Sequence, residues 1–287
     1  MKLVMTMLVR DEIDIIEQNL SFHFRQGVDH AIVIDNGSID GTRELLAKLE
    51  RNGNVTVVDE PEQDYQQAVW MTRAAFMARD EFGADWVLNN DADEFWVPNQ
   101  GSLKTVVANT PADVLHCPRT NLMFPWNQSE DAPWIERCVF SIRNPIKIPR
   151  LSDALNDSLP CPYFYLDLPG KVLTRTDGLI AISQGNHTAR FDRQIREEKG
   201  DITILHFPVR SKAQFRSKVR NGGLAYARNS VLSKGAGWHV RRQFHLIEGQ
   251  GLDAAIADAL PDKAALDQDL LSGVVVQHLQ LKELLGV

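Results

Sequence analysis

The sequence predicts an α/β fold built on a mostly parallel central sheet with helices on both faces and an embellished C-terminal half. Three observations lead there. Short continuous apolar runs recur through the first part of the chain, as in strands covered on both faces. Segments of helical period lie between them, giving the alternation of a parallel sheet. Polar and acidic residues directly follow the runs, where such sheets bind ligands.

Residues 3–9 form the first apolar run, bounded by Lys2 and by Arg10-Asp11-Glu12. From Asp11 the period becomes helical, with Ile13, Ile16, Leu20 and Phe24 on one stripe and Gly27 placed to end it. Residues 31–34 are a second strand that stops at Asp35, and Asn36-Gly37-Ser38-Ile39-Asp40-Gly41 has turn chemistry. Thr42 then caps a helix through Leu45, Leu46 and Leu49. Residues 55–58 are a third strand. Asp64 is placed to cap a helix carrying Ala68, Val69, Phe76 and Met77, which Gly83 closes before a fourth strand at 86–88. From about Thr120 to Pro169 the rhythm fails, and the stretch reads as a loop-rich layer. Strand patterns return at 171–174, 179–183 and 202–207, followed by a basic helix from Ser211 to about Arg228 and helical pieces at 254–260 and 274–285.

At 287 residues, 44% hydrophobic and 24% charged, the composition is that of a globular chain with a sizeable core. A net charge of −7 argues against duplex nucleic acid as the main partner, which would need a dominant surplus of Lys and Arg. Cys117, Cys138 and Cys161 are too few and too scattered for a disulfide framework or a zinc site, and read as reduced thiols in a cytoplasmic protein. The apolar opening is short and lacks a small-residue cleavage site, so it reads as a buried strand. No apolar run approaches the roughly 20 residues that span a bilayer, which leaves only peripheral contact, at the inner membrane face.

Asp91-Ala92-Asp93 carries the strongest chemical signal. Two carboxylates two residues apart point the same way if the strand continues, and can hold a hard divalent cation together with diphosphate oxygens. Acidic triplets also occur in solvated loops, but this one is wedged between Trp86-Val87-Leu88 and Phe95-Trp96-Val97, where a solvated face is disfavoured. Asp35 is the second signal. It either accepts hydrogen bonds from a nucleobase or ribose, or merely ends its strand in an Asx-turn.

In order and spacing, Val9-Arg10-Asp11-Glu12, Asp35-Asn36-Gly37-Ser38-Ile39-Asp40-Gly41-Thr42 and Asp91-Ala92-Asp93-Glu94-Phe95 resemble glycosyltransferase family 2 and its relatives over about the first hundred residues. The resemblance implies a GT-A fold, a nucleotide-sugar donor, Mn²⁺ or Mg²⁺ as cofactor, and inversion at the anomeric carbon. It places Val9, Arg10 and Glu12 at the base, Asp35 at the base or ribose, and Asp91 and Asp93 at the ribose and the metal. The opening departs from the family's pattern, and the acidic pair that serves many members as catalytic base has no clear counterpart. Glu197-Glu198 comes nearest, in a stretch that reads as solvated.

In the second half, His206 ends an apolar strand and either completes the metal shell, as a late histidine does in GT-A enzymes, or is satisfied by backbone. His187, in Gly185-Asn186-His187, is a candidate base for the acceptor proton or a metal ligand, with a capping turn as the alternative. Arg210 precedes the basic helix and is the choice for a phosphate contact, whereas Lys212 and Lys218 read as a solvated face. Lys171 is a weaker diphosphate candidate. Phe124, Trp126, Trp134, Phe164 and Tyr165 stack on a sugar or belong to the core.

The expected organisation is a nucleotide-sugar-binding half over 1–118, an acceptor-side half over 119–228 and a helical extension over 229–287. The expected partners are a nucleotide-sugar donor and a glycan, lipid-linked or small-molecule acceptor. Two rival readings are a sugar-phosphate nucleotidyltransferase, disfavoured because no glycine follows the first strand directly, and a non-catalytic nucleotide-sugar or glycan-binding protein on the same scaffold.

Overall fold

The computed structural model describes every residue except Tyr65, Pro149, Val231, Lys234 and Val287. The chain forms two compact units, one comprising residues 1–62, 66–119 and 169–205, the other residues 63–65, 120–168 and 206–287.

The first unit is organised by strands β1 (Leu3–Val9), β2 (His30–Asp35), β3 (Val55–Asp59), β4 (Trp86–Asp91), β5 (Glu94–Pro98), β6 (Val114–Cys117), β7 (Lys171–Arg175), β8 (Leu179–Ile182), β9 (Ala189–Phe191), β10 (Glu197–Lys199) and β11 (Ile202–His206), whose last residue begins the second unit. A seven-stranded sheet runs in the order β10-β6-β7-β4-β1-β2-β3. Its neighbours are parallel except for β7, which is antiparallel to both β4 and β6. The mostly parallel α/β sheet expected from the apolar runs is therefore present.

Both faces are covered, which is why the runs are apolar rather than alternating. Helix α3 (Gln67–Asp80) packs Trp70, Met71, Ala74 and Ala75 against Val4, Ile32, Ile34 and Val87. Met5, next to Val4, faces the other way, where helix α1 (Ile16–Arg25) lies. Helix α2 (Thr42–Glu50) follows β2, and α4 (Leu103–Asn109) follows β5.

Several elements differ from expectation for local reasons. Helix α1 begins at Ile16, not near Asp11, because Asp11 has φ 57° and its carboxylate is held by the Ile39 N–H at 2.8 Å. Ile13 is consequently outside the helix and exposed. Gln66, not Asp64, precedes the first turn of α3, without a side-chain cap. Thr42 opens α2 from inside, after Gly41 at φ 102°. Glu197 and Glu198, read as solvated, form β10, an edge strand that pairs in parallel with β6 while its charged side chains face mostly outward.

In the second unit, the basic helix α5 (Lys212–Arg228) starts as expected, Ser211 accepting the Gln214 N–H at 3.0 Å. It is followed by α6 (Trp238–Gln250), α7 (Leu252–Ala259) and α8 (Lys263–Leu271). The helix expected over 274–285 is instead a strand, Val275–Gln277, and a short helix, Leu281–Leu285. The strand pairs antiparallel with Phe140–Ile142 inside the loop-rich layer, a partner far off in sequence that suits β-branched valines. Phe124, Phe164 and Tyr165 are buried there as core.

Candidate active site

The strand register assembles one edge of the sheet in the first unit. Asp35 lies beside Val9, and Asp91 beside Leu8, so three neighbouring strands end together at their carboxyl ends. Because β7 runs the other way, its first residue, Lys171, reaches the same edge.

On the β2 side, Asp35 is 3% exposed. Its Oδ2 accepts the Ser38 N–H at 3.2 Å, while its buried Oδ1 has no hydrogen-bond partner. The loop after β2 is pinned to the segment after β1. The Asp11 N–H donates to Ser38 Oγ at 3.0 Å, Glu12 N–H to Thr42 Oγ1 at 2.9 Å, and Ile13 N–H to Asp40 Oδ2 at 3.0 Å. The Asn36 side chain donates to the carbonyls of Glu60 and Glu62 at 3.0 and 2.6 Å. Val9, Arg10, Glu12 and Asp35 thus share one rigid corner, with Val9 and Glu12 buried and Arg10 half-buried.

The acidic triplet has a different shape from the continuing strand that the sequence suggested. Strand β4 stops at Asp91, Ala92-Asp93 forms a turn, and β5 starts at Glu94, leaving Asp91 half-exposed and Asp93 2% exposed. A buried side chain of α1 holds this turn. Asn19 Nδ2 donates to the carbonyls of Ala92 and Glu94 at 2.8 and 2.7 Å, and Asn19 Oδ1 accepts from Asn90 Nδ2 at 3.0 Å. Trp96 Nε1 donates to Asn90 Oδ1 at 2.9 Å. His23 Nδ1 donates to the Asn19 carbonyl at 2.8 Å and its Nε2 accepts the Trp96 N–H at 3.3 Å, which makes the ring neutral. Burial lowers its pKa to about 4.

Beneath Asp91 lies a chain of alternating charges. The Lys171 ammonium, 1% exposed, pairs with Asp91 and sits 2.7 Å from Glu94 Oε2, and Arg119 Nη1 donates to Glu94 Oε1 at 3.1 Å. Burial pushes the Lys171 pKa down, but Asp91 and Glu94 outweigh it and the net shift is upward, so the ammonium stays charged. His187 Nδ1 donates to the Gly170 carbonyl at 2.6 Å, next to Lys171. Its pKa is lowered first by burial and further by Lys171 and Arg119, against the raising effects of the Gly170 bond and Asp91.

With that geometry in place, the chain can be compared with known proteins. Residues 5–131 match glycosyltransferase family 92. The resemblance read from the motifs was to family 2 and its relatives, and both lead to a glycosyltransferase-like family. No curated protein sequence matches the chain. Among solved structures, TarS residues 1–349 from S. aureus with UDP-GlcNAc is similar at 15% identity and TM-score 0.39, covering 87% of this chain and 73% of that one. Glucosyl-3-phosphoglycerate synthase from Mycobacterium tuberculosis, with Mn²⁺, UDP and glucosyl-3-phosphoglycerate, is similar at 19% identity and TM-score 0.29, covering 42% and 44%.

The family 92 region contains Val9, Arg10, Glu12, Asp35, Asp91 and Asp93. His187 belongs to the same compact unit, whereas His206 and Arg210 belong to the second. There, His206 Nδ1 is 2.8 Å from Asn121 Oδ1, and the orientation that donates leaves the lone pair on Nε2. Arg210 is 1% exposed, and its Nη1 donates to the Phe207 carbonyl at 3.1 Å. Asn19, Glu94 and Arg119 were not singled out from sequence. The one signal for Glu94 was its place inside the acidic motif, and Asn19 resembled any polar residue in a helix.

Among the described residues, no three His, Cys, Asp or Glu side chains form a group that could hold a metal ion. A Mg²⁺ or Mn²⁺ ion that takes most of its ligands from a diphosphate needs only one or two carboxylates. Asp91 and the turn residue Asp93 supply that number of carboxylates, with Asp91 Oδ2 already engaged by Lys171. No described helix is long and apolar enough to cross a membrane.

Proposed function

We propose that the protein is a glycosyltransferase that moves a sugar from a nucleoside-diphosphate sugar to a hydroxyl of a glycan, lipid-linked or small-molecule acceptor, with inversion at the anomeric carbon. The observation that carries this reading is the meeting of Asp35, with a buried carboxylate oxygen lacking any partner, and the Asp91–Lys171 pair at adjoining strand ends, both aspartates lying within the segment 5–131 that matches family 92. An orphaned acceptor of this kind suits a base or ribose donor. Val9, Arg10 and Glu12 form the neighbouring wall of the base pocket.

Asp91 and Asp93 would hold the divalent cation, which supplies stabilisation of the negative charge on the departing diphosphate. Lys171 and Arg119 keep this edge from accumulating unbalanced negative charge. His187 is the base: with its Nδ1 proton committed to Gly170, Nε2 accepts the acceptor hydroxyl proton. The acceptor oxygen bonds to the anomeric carbon as the bond to the diphosphate oxygen breaks.

The deciding experiment is a thermal-shift panel of UDP, GDP, CDP and dTDP and their sugars, with and without Mn²⁺. A ligand that binds only the native state raises the melting temperature. One base should stand out, more strongly with Mn²⁺. If none of the nucleotides shifts the transition in either condition, the reading is wrong.

A further inference from the structure

From the turn that precedes His187, we infer that Asn186 recognises hydroxyl groups of the transferred sugar, an inference that rests on the glycosyltransferase reading. The turn Gln184–Asn186 follows β8 and is latched to the N-terminus of α3. Gln67 Oε1 accepts from Gln184 Nε2 at 3.1 Å and from the Gly185 N–H at 3.0 Å. Since α3 follows β3, its N-terminus lies at the carboxyl ends of the parallel strands, the edge that carries Asp35 and Asp91. The bond from His187 to Gly170 ties the other end of the turn to Lys171.

Within the turn, Asn186 is unfavourable on two counts. Its φ of 59° lies in the left-handed region, and its side chain is 0% exposed with neither Oδ1 nor Nδ2 hydrogen-bonded. A glycine would take the same backbone without either cost. A carboxamide offers two donors and an acceptor, the complement of adjacent sugar hydroxyls. The Gln67 latches beside it are neutral hydrogen bonds, weak enough for an entering sugar to part while the His187–Gly170 bond holds. Buried polar groups left unmet call for a partner, and this one adjoins the residue assigned as base.

The test compares the wild type with Asn186→Gly, which keeps the left-handed backbone, and Asn186→Asp, which keeps the shape but removes the donor. Each is titrated with UDP, GDP, CDP and dTDP and with their sugars, and donor hydrolysis is measured without acceptor. Both variants should bind the bare nucleotide within about twofold of wild type and lose about tenfold to a hundredfold in sugar-dependent affinity and turnover. The Gly variant should melt no lower than wild type. If the wild type binds nucleotide and the variants keep its preference for the sugar form, the inference fails alone. A lowered melting temperature with wild-type turnover per folded molecule would make Asn186 structural. If no nucleotide binds the wild type, the inference falls with the functional reading.

Discussion

Asp35 and His187 are single side chains whose surroundings define what each can do. Removing the Asp35 carboxylate deprives the protein of little, because the Ser38 N–H at 3.2 Å and a minor charge interaction with Arg43 are what it loses. Asp35→Ala should therefore leave the melting curve nearly unchanged and weaken nucleoside diphosphate binding by about 1 to 3 kcal/mol, the cost of a lost buried hydrogen bond. Unchanged affinity by titration calorimetry would reduce Asp35 to a turn residue. For His187, only the neutral ring is a base, and burial together with Lys171 and Arg119 holds its pKa below 6.5. Turnover should thus persist below pH 6.5 and fall as the pH drops through the lowered value. His187→Gln should lose about 10²- to 10⁴-fold in turnover and, with it, this acid limb. An identical pH profile in the variant would move the base elsewhere.

At the scale of elements, the β4–β5 turn is held by a helix. Asn19→Ala would leave the Ala92 and Glu94 carbonyls unmet, at about 1 to 3 kcal/mol for each buried group, and should lower the urea midpoint. It should also weaken metal-dependent nucleotide binding, since the backbone on both sides of Asp93 loses its anchor. Asp93→Ala should go further and abolish the difference between titrations with and without Mn²⁺. Equal metal-independent binding in wild type and variant would end the metal assignment. The alternation argument that paired Asp91 and Asp93 on one face does not apply, because a turn intervenes; both nonetheless stay at the edge because Asn19 and Asn90 fold the turn back on α1.

For the whole molecule, the clearest expectation concerns acid. His23 is buried and neutral with a pKa near 4 against 6.5 when unfolded. The unfolded chain binds this proton first, so the contribution is intact above pH 6.5 and is lost as pH falls towards 4. The gap corresponds to about 3 kcal/mol at full extent. His30, His187 and His278 are also lowered by burial and act in the same direction. Urea unfolding from pH 7 to 4.5 should show declining stability, with a shallower slope in His23→Gln. Parallel slopes would show that His23 does not govern the acid response.

Much of this protein was legible in order. Apolar runs bounded by charge marked β1 to β4 because strands packed inside a covered sheet are mostly apolar, and the loops after β1, β2 and β4 carried the motifs that a carboxyl edge displays. Other features required distant partners. The valines at 274–276 had no local reason to extend until Phe140–Ile142 offered a strand, and Glu197–Lys199 became a strand by pairing with β6. Lys171, eighty residues from Asp91, owes its charge and burial to a neighbour that only the antiparallel course of β7 supplies. The sequence by itself determined the α/β class and which residues end β1, β2 and β4, because periodicity and turn chemistry are local. The tertiary structure decided which carboxylate is paired, which polar atoms are orphaned and which asparagine holds the acidic turn, because burial and electrostatics depend on neighbours that no local pattern encodes.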